Sequence, residues 1–319
     1  MSIGVRLYTL SFRRYYYLRM MNSLELYLSG FHADYTVFDK TKALSLYKPR
    51  DPFAHKGNFG HALILAGSYG KMGAAILAAK ACLSAGVGLL TSYFPSCGYD
   101  IMQSSVPEAM VTVDEDEFHL TTFPVNLDLY QAAGLGPGIG TDDETADMVK
   151  KFIETFRRPL VLDADAINII SKSPELLSSL VHYTIITPHP REFDRLSGDC
   201  KDDFTRFERA KNLAAMHEII IVLKGHFTGI FYPDGNITFN TSGNAGMAKG
   251  GSGDVLTGII TALLAQGYPA SSAAALGVYM HGYAGDLAAG LYSEEAMLPT
   301  DLIHCLGKTF LEWKKESKN

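Results

Sequence analysis

Gly243-Asn244-Ala245-Gly246-Met247-Ala248-Lys249-Gly250-Gly251-Ser252-Gly253-Asp254 runs without a break into Val255-Leu256-Thr257-Gly258-Ile259-Ile260-Thr261-Ala262-Leu263-Leu264-Ala265. A glycine-rich loop that opens an apolar helix leaves backbone N–H groups unobstructed and adds the positive end of the helix dipole. Together these make a site for an anion, most often a phosphate. The loop is not a P-loop, because G-x-x-x-x-G-K-[ST] does not occur. Asp254 falls in the first turn of the helix. A lone acid there is one the dipole favours; beside five glycines, a base poised at a phosphate pocket is an equal reading.

Outward from this loop, short continuous apolar runs recur at 62–65, 89–93, 160–162, 184–186 and 219–223. Helical stretches lie between them, at 73–85, 144–156, 204–216 and 255–266. Runs that are apolar throughout are strands covered on both faces, and their alternation with helices predicts a mostly parallel sheet in a three-layer α/β domain. Pro233-Asp234-Gly235 between 228–232 and 236–240 predicts a hairpin, and so an antiparallel edge. The stretch 270–289 is rich in Ala, Gly and Ser and predicts closely packed helix.

Each predicted strand is followed by a polar or glycine-rich turn. Ala66-Gly67-Ser68-Tyr69-Gly70 and Leu135-Gly136-Pro137-Gly138-Ile139-Gly140 place flexible backbone at strand ends. The second resembles G-x-G-x-x-G only loosely, with its third glycine one position early, which disfavours a dinucleotide-binding dehydrogenase. Asp163-Ala164-Asp165 ends another run; alternate residues of a strand share a direction. Holding Mg²⁺ and capping the next helix fit this acid pair equally. Thr187-Pro188-His189-Pro190-Arg191-Glu192 and Lys224-Gly225-His226-Phe227-Thr228 complete the set. In a parallel sheet such ends gather on one edge, where open α/β sheets bind ligands.

Composition narrows the class. Hydrophobic residues make up 47% and charged ones 19%, which predicts a real core and excludes disorder for most of the chain. Twenty-eight basic against 34 acidic residues leave a net charge of −6, with no basic excess to neutralise nucleic acid. Cys82, Cys97, Cys200 and Cys305 form no C-x-x-C pair, so reduced thiols in a cytoplasmic protein are expected. No apolar run reaches the ~18 residues of a membrane helix. The first twenty residues carry Arg6, Arg13, Arg14 and Arg19 and no acid, but are rich in Tyr and Leu rather than Ser. They read as an upstream extension rather than a transit peptide.

Seven motifs then agree in order and spacing with one family: His55 to Gly60, Gly73-Ala74-Ala75, Leu135 to Gly140, Asp163 to Ala166, Thr187 to Pro190, Leu223-Lys224-Gly225 and Gly250 to Asp254. Residues 45–316 resemble the ADP- or ATP-dependent NAD(P)H-hydrate dehydratases of the ribokinase-like fold. The resemblance implies repair of hydrated NADH or NADPH: a nucleotide phosphorylates the ring hydroxyl, and loss of phosphate restores the double bond. It implies Asp254 as the catalytic base, with Gly250, Gly251, Ser252 and Gly253 as an anion hole. It assigns Ala75, Gly138, His189 and Asp254 to the hydrated cofactor, and Lys224, Gly225, His226, Phe227, Thr228 and Gly253 to the nucleotide. Glu192 resembles a Mg²⁺-linked glutamate. ADP is the expected donor and AMP the product, in a homo-oligomer, by resemblance a tetramer. Residues 1–44 are expected to be an extension or the remnant of a fused domain, since 35–50 look like the junction that follows an epimerase domain in many relatives. Epimerase activity is not expected, and a chain starting near Thr41 is expected to keep full activity. Arg191 stands where many relatives have Gly. A ribokinase-like kinase of the hydroxymethylpyrimidine or hydroxyethylthiazole type is the alternative, and a nucleotide-binding regulator would not need Asp254.

Overall fold

The computed structural model describes residues 23–316; the arginine-rich first twenty residues lie outside that range. Ten strands form one sheet: β1 (Thr36–Phe38), β2 (His61–Leu65), β3 (Leu89–Pro95), β4 (Met110–Asp114), β5 (Ala132–Leu135), β6 (Leu160–Leu162), β7 (Ile185–Ile186), β8 (Ile220–Leu223), β9 (Gly229–Phe231) and β10 (Ile237–Asn240). Their order is β1-β10-β9-β8-β7-β6-β5-β2-β3-β4. From β8 to β4 all seven strands are parallel, and β9 runs against both of its neighbours. The helices are α1 (Lys40–Leu46), α2 (Met72–Ser84), α3 (Tyr99–Ser105), α4 (Asp143–Thr155), α5 (Ala164–Lys172), α6 (Pro190–Ser197), α7 (Asp203–His217), α8 (Ser252–Ala265), α9 (Ala270–Tyr292) and α10 (Pro299–Glu316).

Alternation within the strands explains the three layers. In β2, Ala62 and Ile64 join a core with α2, α8, α9 and α10, while Leu63 and Leu65 join a second core with α4, α5, α6 and α7. Both faces of the sheet are therefore covered, as the unbroken apolar runs predicted. The apolar helix α8 is held close to the sheet by small residues. A Cβ on Gly134 of β5 would lie 2.4 Å from the Thr261 hydroxyl, and one on Gly258 would lie 2.2 Å from the Ala78 carbonyl of α2. These approaches fix where the N-terminus of α8, and so Asp254, sits over the sheet.

The strands diverge at one place. β2 leads outward through β3 to β4, whereas β5 leads the other way through β6 and β7 to β8. The gap between β2 and β5 is a topological switch point, where the loops after adjacent strands part and leave a crevice. Gly67 N–H donates to the Pro137 carbonyl (2.8 Å) and the Ser68 hydroxyl to the Gly138 carbonyl (2.8 Å), lacing its walls.

The hairpin forms as expected, with Gly235 at φ +83° in its turn, but β10 is not the edge of the sheet. β1 pairs parallel to it, Thr36 opposite Thr238. Leu24, Leu28 and Phe31 are buried, Phe31 stands edge-on to Phe207 at 5.5 Å, and the Tyr27 hydroxyl donates to Asp203 at 2.6 Å. The boundary expected at residue 45 thus needs correction: residues 23–44 are built into the same packed unit. The sequence concealed this because β1 has three residues and pairs through its backbone.

A chain starting at Thr41 consequently loses the four apolar residues Leu24, Leu28, Phe31 and Phe38 from the cores. At ~1.5–3 kcal/mol for each buried side chain, its urea midpoint is expected to drop by the equivalent of about 5 kcal/mol or more. An unchanged midpoint would contradict this packing.

Candidate active site

The turns after β8, β7, β6, β5 and β2 line one edge of the sheet, and the loop before α8 closes over them. Gly251 sits at the N-cap of α8 with φ +95°, and a Cβ there would come within 2.5 Å of Leu77. Glycine is therefore favoured by the backbone conformation, and a side chain there would also have to displace the end of Leu77. It also gives the first turn of α8 no side-chain cap. Around Gly250 nothing lies within 4 Å of a built Cβ, so this backbone faces open space. The loop is held from behind. Gly243 N–H and the Asn244 amide donate to Asp286, and Lys249 Nζ donates to the carbonyls of Glu295 and Met297 at 2.5 and 2.6 Å. Lys249 is thus spent on carbonyls rather than offered to an anion.

Beneath the loop lies a cluster of charge. Lys224 Nζ is 2.8 Å from Asp163 Oδ1 and 3.8 Å from Glu192 Oε2. The other oxygen of Asp163 accepts from the Thr257 hydroxyl at 2.9 Å, and Asp163 is 1% exposed. Burial opposes the charge on Lys224, but Asp163 and Glu192 outweigh it and hold the ammonium above the usual lysine range. A Cβ on Gly253 would meet Lys224 Nζ at 3.3 Å and Asp163 at 3.5 Å, so only glycine leaves this corner open. Burial first, and then the field of Asp163, push the Asp254 carboxyl up to about 6, with Lys224 partly offsetting them. A carboxyl titrating there is matched to taking up a proton near neutral pH.

Of the two roles open to the Asp163–Asp165 pair, side-chain capping is not the one Asp163 takes. Asp163 stands at the N-cap of α5 without making a side-chain cap, and its carboxylate turns to Lys224 and Thr257 instead. Asp165 accepts from Gly140 N–H at 2.9 Å and lies 3.7 Å from Lys71 Nζ, tying the β5 turn to the β2 turn.

His189 caps α6. Its Nδ1 accepts from the N–H groups of Arg191 (3.1 Å) and Glu192 (3.2 Å), while Glu192 Oε2 accepts from His189 N–H. That assigns the ring proton to Nε2. Burial holds the imidazole below its usual value despite Glu192, so it is neutral at pH 7. The ring remains half-exposed, free to meet a ligand while capping the helix.

Other expected residues fall into two groups. Gly138 (φ +65°) lies in the crevice wall against Ala74 and Lys71, and Gly225, His226 and Thr228 form an accessible turn after β8. By contrast, the side chains of Ala75 and Phe227 point into the cores, Phe227 packing 5.6 Å from the Tyr27 ring. The Ser252 hydroxyl turns inward to His281 Nε2 at 3.3 Å, away from the loop's open face. Burial lowers His281 to about 4, so it stays neutral. Among the described residues no three His, Cys, Asp or Glu side chains come together to hold a metal; Glu192 accepts from His189 N–H through Oε2, which also lies 3.8 Å from Lys224 Nζ. All four cysteines are free. No helix among the described residues is long and apolar enough to cross a membrane. Sequence reasoning missed Thr257 and Lys71; Thr257 was hidden because a threonine in an apolar helix reads as filler.

Sheet order, crevice and glycine-capped helix define a ribokinase-like α/β protein, and a ribokinase-like superfamily protein from Enterococcus faecalis is similar at a TM-score of 0.78 and 28% identity, over 88% of this chain and 99% of that one. The chain belongs to the NAD(P)H-hydrate dehydratase family, whose model matches residues 62–308. It is 39% identical to a bifunctional NAD(P)H-hydrate repair enzyme of Moorella thermoacetica over 81% of this chain and 50% of that one. Its identity to the ADP-dependent (S)-NAD(P)H-hydrate dehydratase of Neisseria meningitidis is 37%, over 78% of this chain and 86% of that one. The ADP/ATP-dependent dehydratase of Bacillus subtilis, co-crystallised with ATP and Mg²⁺, is similar at a TM-score of 0.75 and 29% identity, over 88% of this chain and all of that one. The chain spans about half the length of the bifunctional relatives it matches.

Lys224→Met leaves Asp163 buried without its cation, which typically costs about 3–5 kcal/mol. The denaturant midpoint of this variant is expected to fall accordingly, and Asp163→Asn in the same chain to restore most of the loss. Equal losses in the single and double variants would show that the pair does not hold the site together.

Proposed function

We propose that this protein restores hydrated NADH and NADPH, in their S form, by nucleotide-dependent dehydration. The observation that carries the reading is Asp254: a largely buried carboxyl held near 6, in the first turn of a helix whose glycine N-cap leaves its backbone donors uncapped, stands ready to take a proton beside a bound phosphate. Asp254 takes the proton of the ring hydroxyl, whose oxygen attacks the terminal phosphoryl of ADP and releases AMP. Backbone N–H groups of Gly250 to Gly253 meet the charge of the transferring phosphoryl. Hydroxide leaves poorly and phosphate well. The ring nitrogen therefore expels phosphate from the neighbouring carbon, and loss of a proton from the next carbon restores the double bond.

The donor is assigned to the turn Lys224 to Thr228, with Gly225 and His226 accessible and Phe227 contributing backbone only. The hydrated cofactor is assigned to Gly138, His189 and Asp254, with Ala75 supporting the crevice wall from beneath. Mg²⁺ fits this donor set as an ion carried on the nucleotide's phosphates, which need only one or two protein carboxylates, rather than as one held in a protein cage. When bound, it neutralises charge on the transferring phosphoryl. Glu192 is the carboxylate we place next to it. ADP as donor rests on the naming of the ADP-dependent relatives. A cytoplasmic homo-oligomer belongs to the same reading. The kinase alternative is the weaker one, since the family match and the relatives of Moorella thermoacetica, Neisseria meningitidis and Bacillus subtilis, each above 30% identity, are NAD(P)H-hydrate repair enzymes.

Asp254→Asn is expected to lower the rate of repair by ~10²–10⁴-fold, the usual worth of a general base, and wild-type kcat/KM to fall as the pH drops through about 6. Activity of the variant within about threefold of wild type would remove Asp254 from this role. The same variant has a signature in stability. The folded carboxyl binds protons more tightly than the unfolded one, so wild-type stability falls as the pH rises from 3.8, the ordinary value, through about 6. Asparagine lacks that penalty. Asp254→Asn should therefore melt above wild type at pH 7–8 by up to about 3 kcal/mol, with the gain vanishing near pH 4.

A further inference from the structure

The edge of the sheet that carries the site continues past the groups so far assigned. Along the catalytic edge the order is the β8 turn with Lys224, the β6 turn with Asp163, the β5 turn with Gly138, the β2 turn with Ser68 to Lys71, and beyond β3 the loop that follows β4. With the donor at β8 and the reacting ring at Asp254, the rest of a dinucleotide has one way to run along this edge, toward β2 and β4. Adjacent strands are ~4.8 Å apart, so four steps from β6 to β4 span roughly 19 Å.

At that end stand two aromatic side chains that the fold itself does not use. Tyr69 is 67% exposed and Phe118 50% exposed, and their rings meet edge-on at 5.3 Å. Scattered exposed aromatics need no explanation, but a joined pair on the turns after β2 and β4, on the edge that carries the site, does. Both are held firmly from below. Tyr69 N–H donates to the Phe118 carbonyl at 2.8 Å. Asp116 accepts from the N–H groups of Phe118 and His119, and buried Asp114 accepts from the N–H groups and hydroxyls of Thr121 and Thr122. His119 bonds Glu144 in the first turn of α4 at 2.8 Å. Two residues on from Tyr69, at the N-cap of α2, Lys71 has a side chain 55% exposed whose Nζ lies 3.7 Å from Asp165, in the turn after β6.

We propose that Tyr69 and Phe118 form the stacking platform for the adenine of the hydrated dinucleotide, with Lys71 facing the pyrophosphate between the two riboses. The assignment rests on the function proposed above and deepens it. The platform lies on a rigid loop, so stacking a base on it orders little that is not already ordered, and it sits too far from the β8 turn to serve the donor. It makes these residues determinants of specificity: they favour a dinucleotide over a mononucleotide carrying the same reacting ring.

The test compares hydrated NADH with hydrated reduced nicotinamide mononucleotide, which keeps the ring and lacks the adenosine half. For Tyr69→Ala and Phe118→Ala, KM for hydrated NADH is expected to rise ~10-fold, the scale of one base–aromatic stack, with kcat and the KM for ADP unchanged. The mononucleotide's parameters should not move, and Tyr69→Phe should behave as wild type. Unaltered melting temperatures are expected from two exposed side chains; should an alanine variant melt early, Tyr69→Leu and Phe118→Leu carry the same comparison. Equal losses on both substrates, a matching rise in the KM for ADP, or a KM for hydrated NADH within twofold of wild type would each overturn the platform while leaving the repair activity standing. A wild type inactive on both hydrates would overturn the repair reading and the platform together.

Discussion

The buried pair of Lys224 and Asp163, 2.8 Å apart with Thr257 on the second carboxylate oxygen, is the contact on which the site depends. It joins the end of β8, the end of β6 and the second turn of α8, three elements far apart in sequence. A buried ion pair is seldom retained for stability alone, because desolvation cancels much of its attraction. Here its geometry has a further effect. It sets a positive charge beneath an open glycine loop, which invites an anion, and a negative charge beside Asp254, which adds to the larger effect of burial in raising that carboxyl to about 6 while Lys224 partly offsets both.

That arrangement needs close packing to hold it. α8 reaches its place because Gly134 and Gly258 let it approach β5 and α2 more closely than any side chain would allow. Its first turn then lies over the switch point, where the loops after β2 and β5 part. The helix presents backbone donors at its N-terminus because Gly251 cannot cap it, a local cost in helix stability accepted where a ligand's charge can take the place of the cap. The chemistry at the site therefore grows from the same small residues that set the packing of the core.

Much of this was legible in the sequence. Continuous apolar runs gave the buried parallel strands, Pro233-Asp234-Gly235 the hairpin, and the glycines before Val255 the anion loop, because each depends on local chemistry. What escaped were contacts made across the fold. Nothing near Asp163 in sequence announces Lys224, so the ion pair went unforeseen and side-chain capping, which the structure does not show, stood beside metal binding. Residues 23–44 read as an appendage because their burial comes from Phe207 and Phe239, some two hundred residues on. Ala75, Phe227 and the Ser252 side chain match a family pattern by position, yet their side chains face the interior, so any part they take is through backbone or support.

Repair by this route requires the ring hydroxyl to leave as phosphate rather than as water. A hydrated NADH carrying heavy oxygen in its ring hydroxyl, incubated with the protein, ADP and Mg²⁺, tests this directly. Mass spectrometry of the products should find the label in orthophosphate, with one AMP formed for each NADH restored. Label released into water, or NADH restored without AMP, would contradict it.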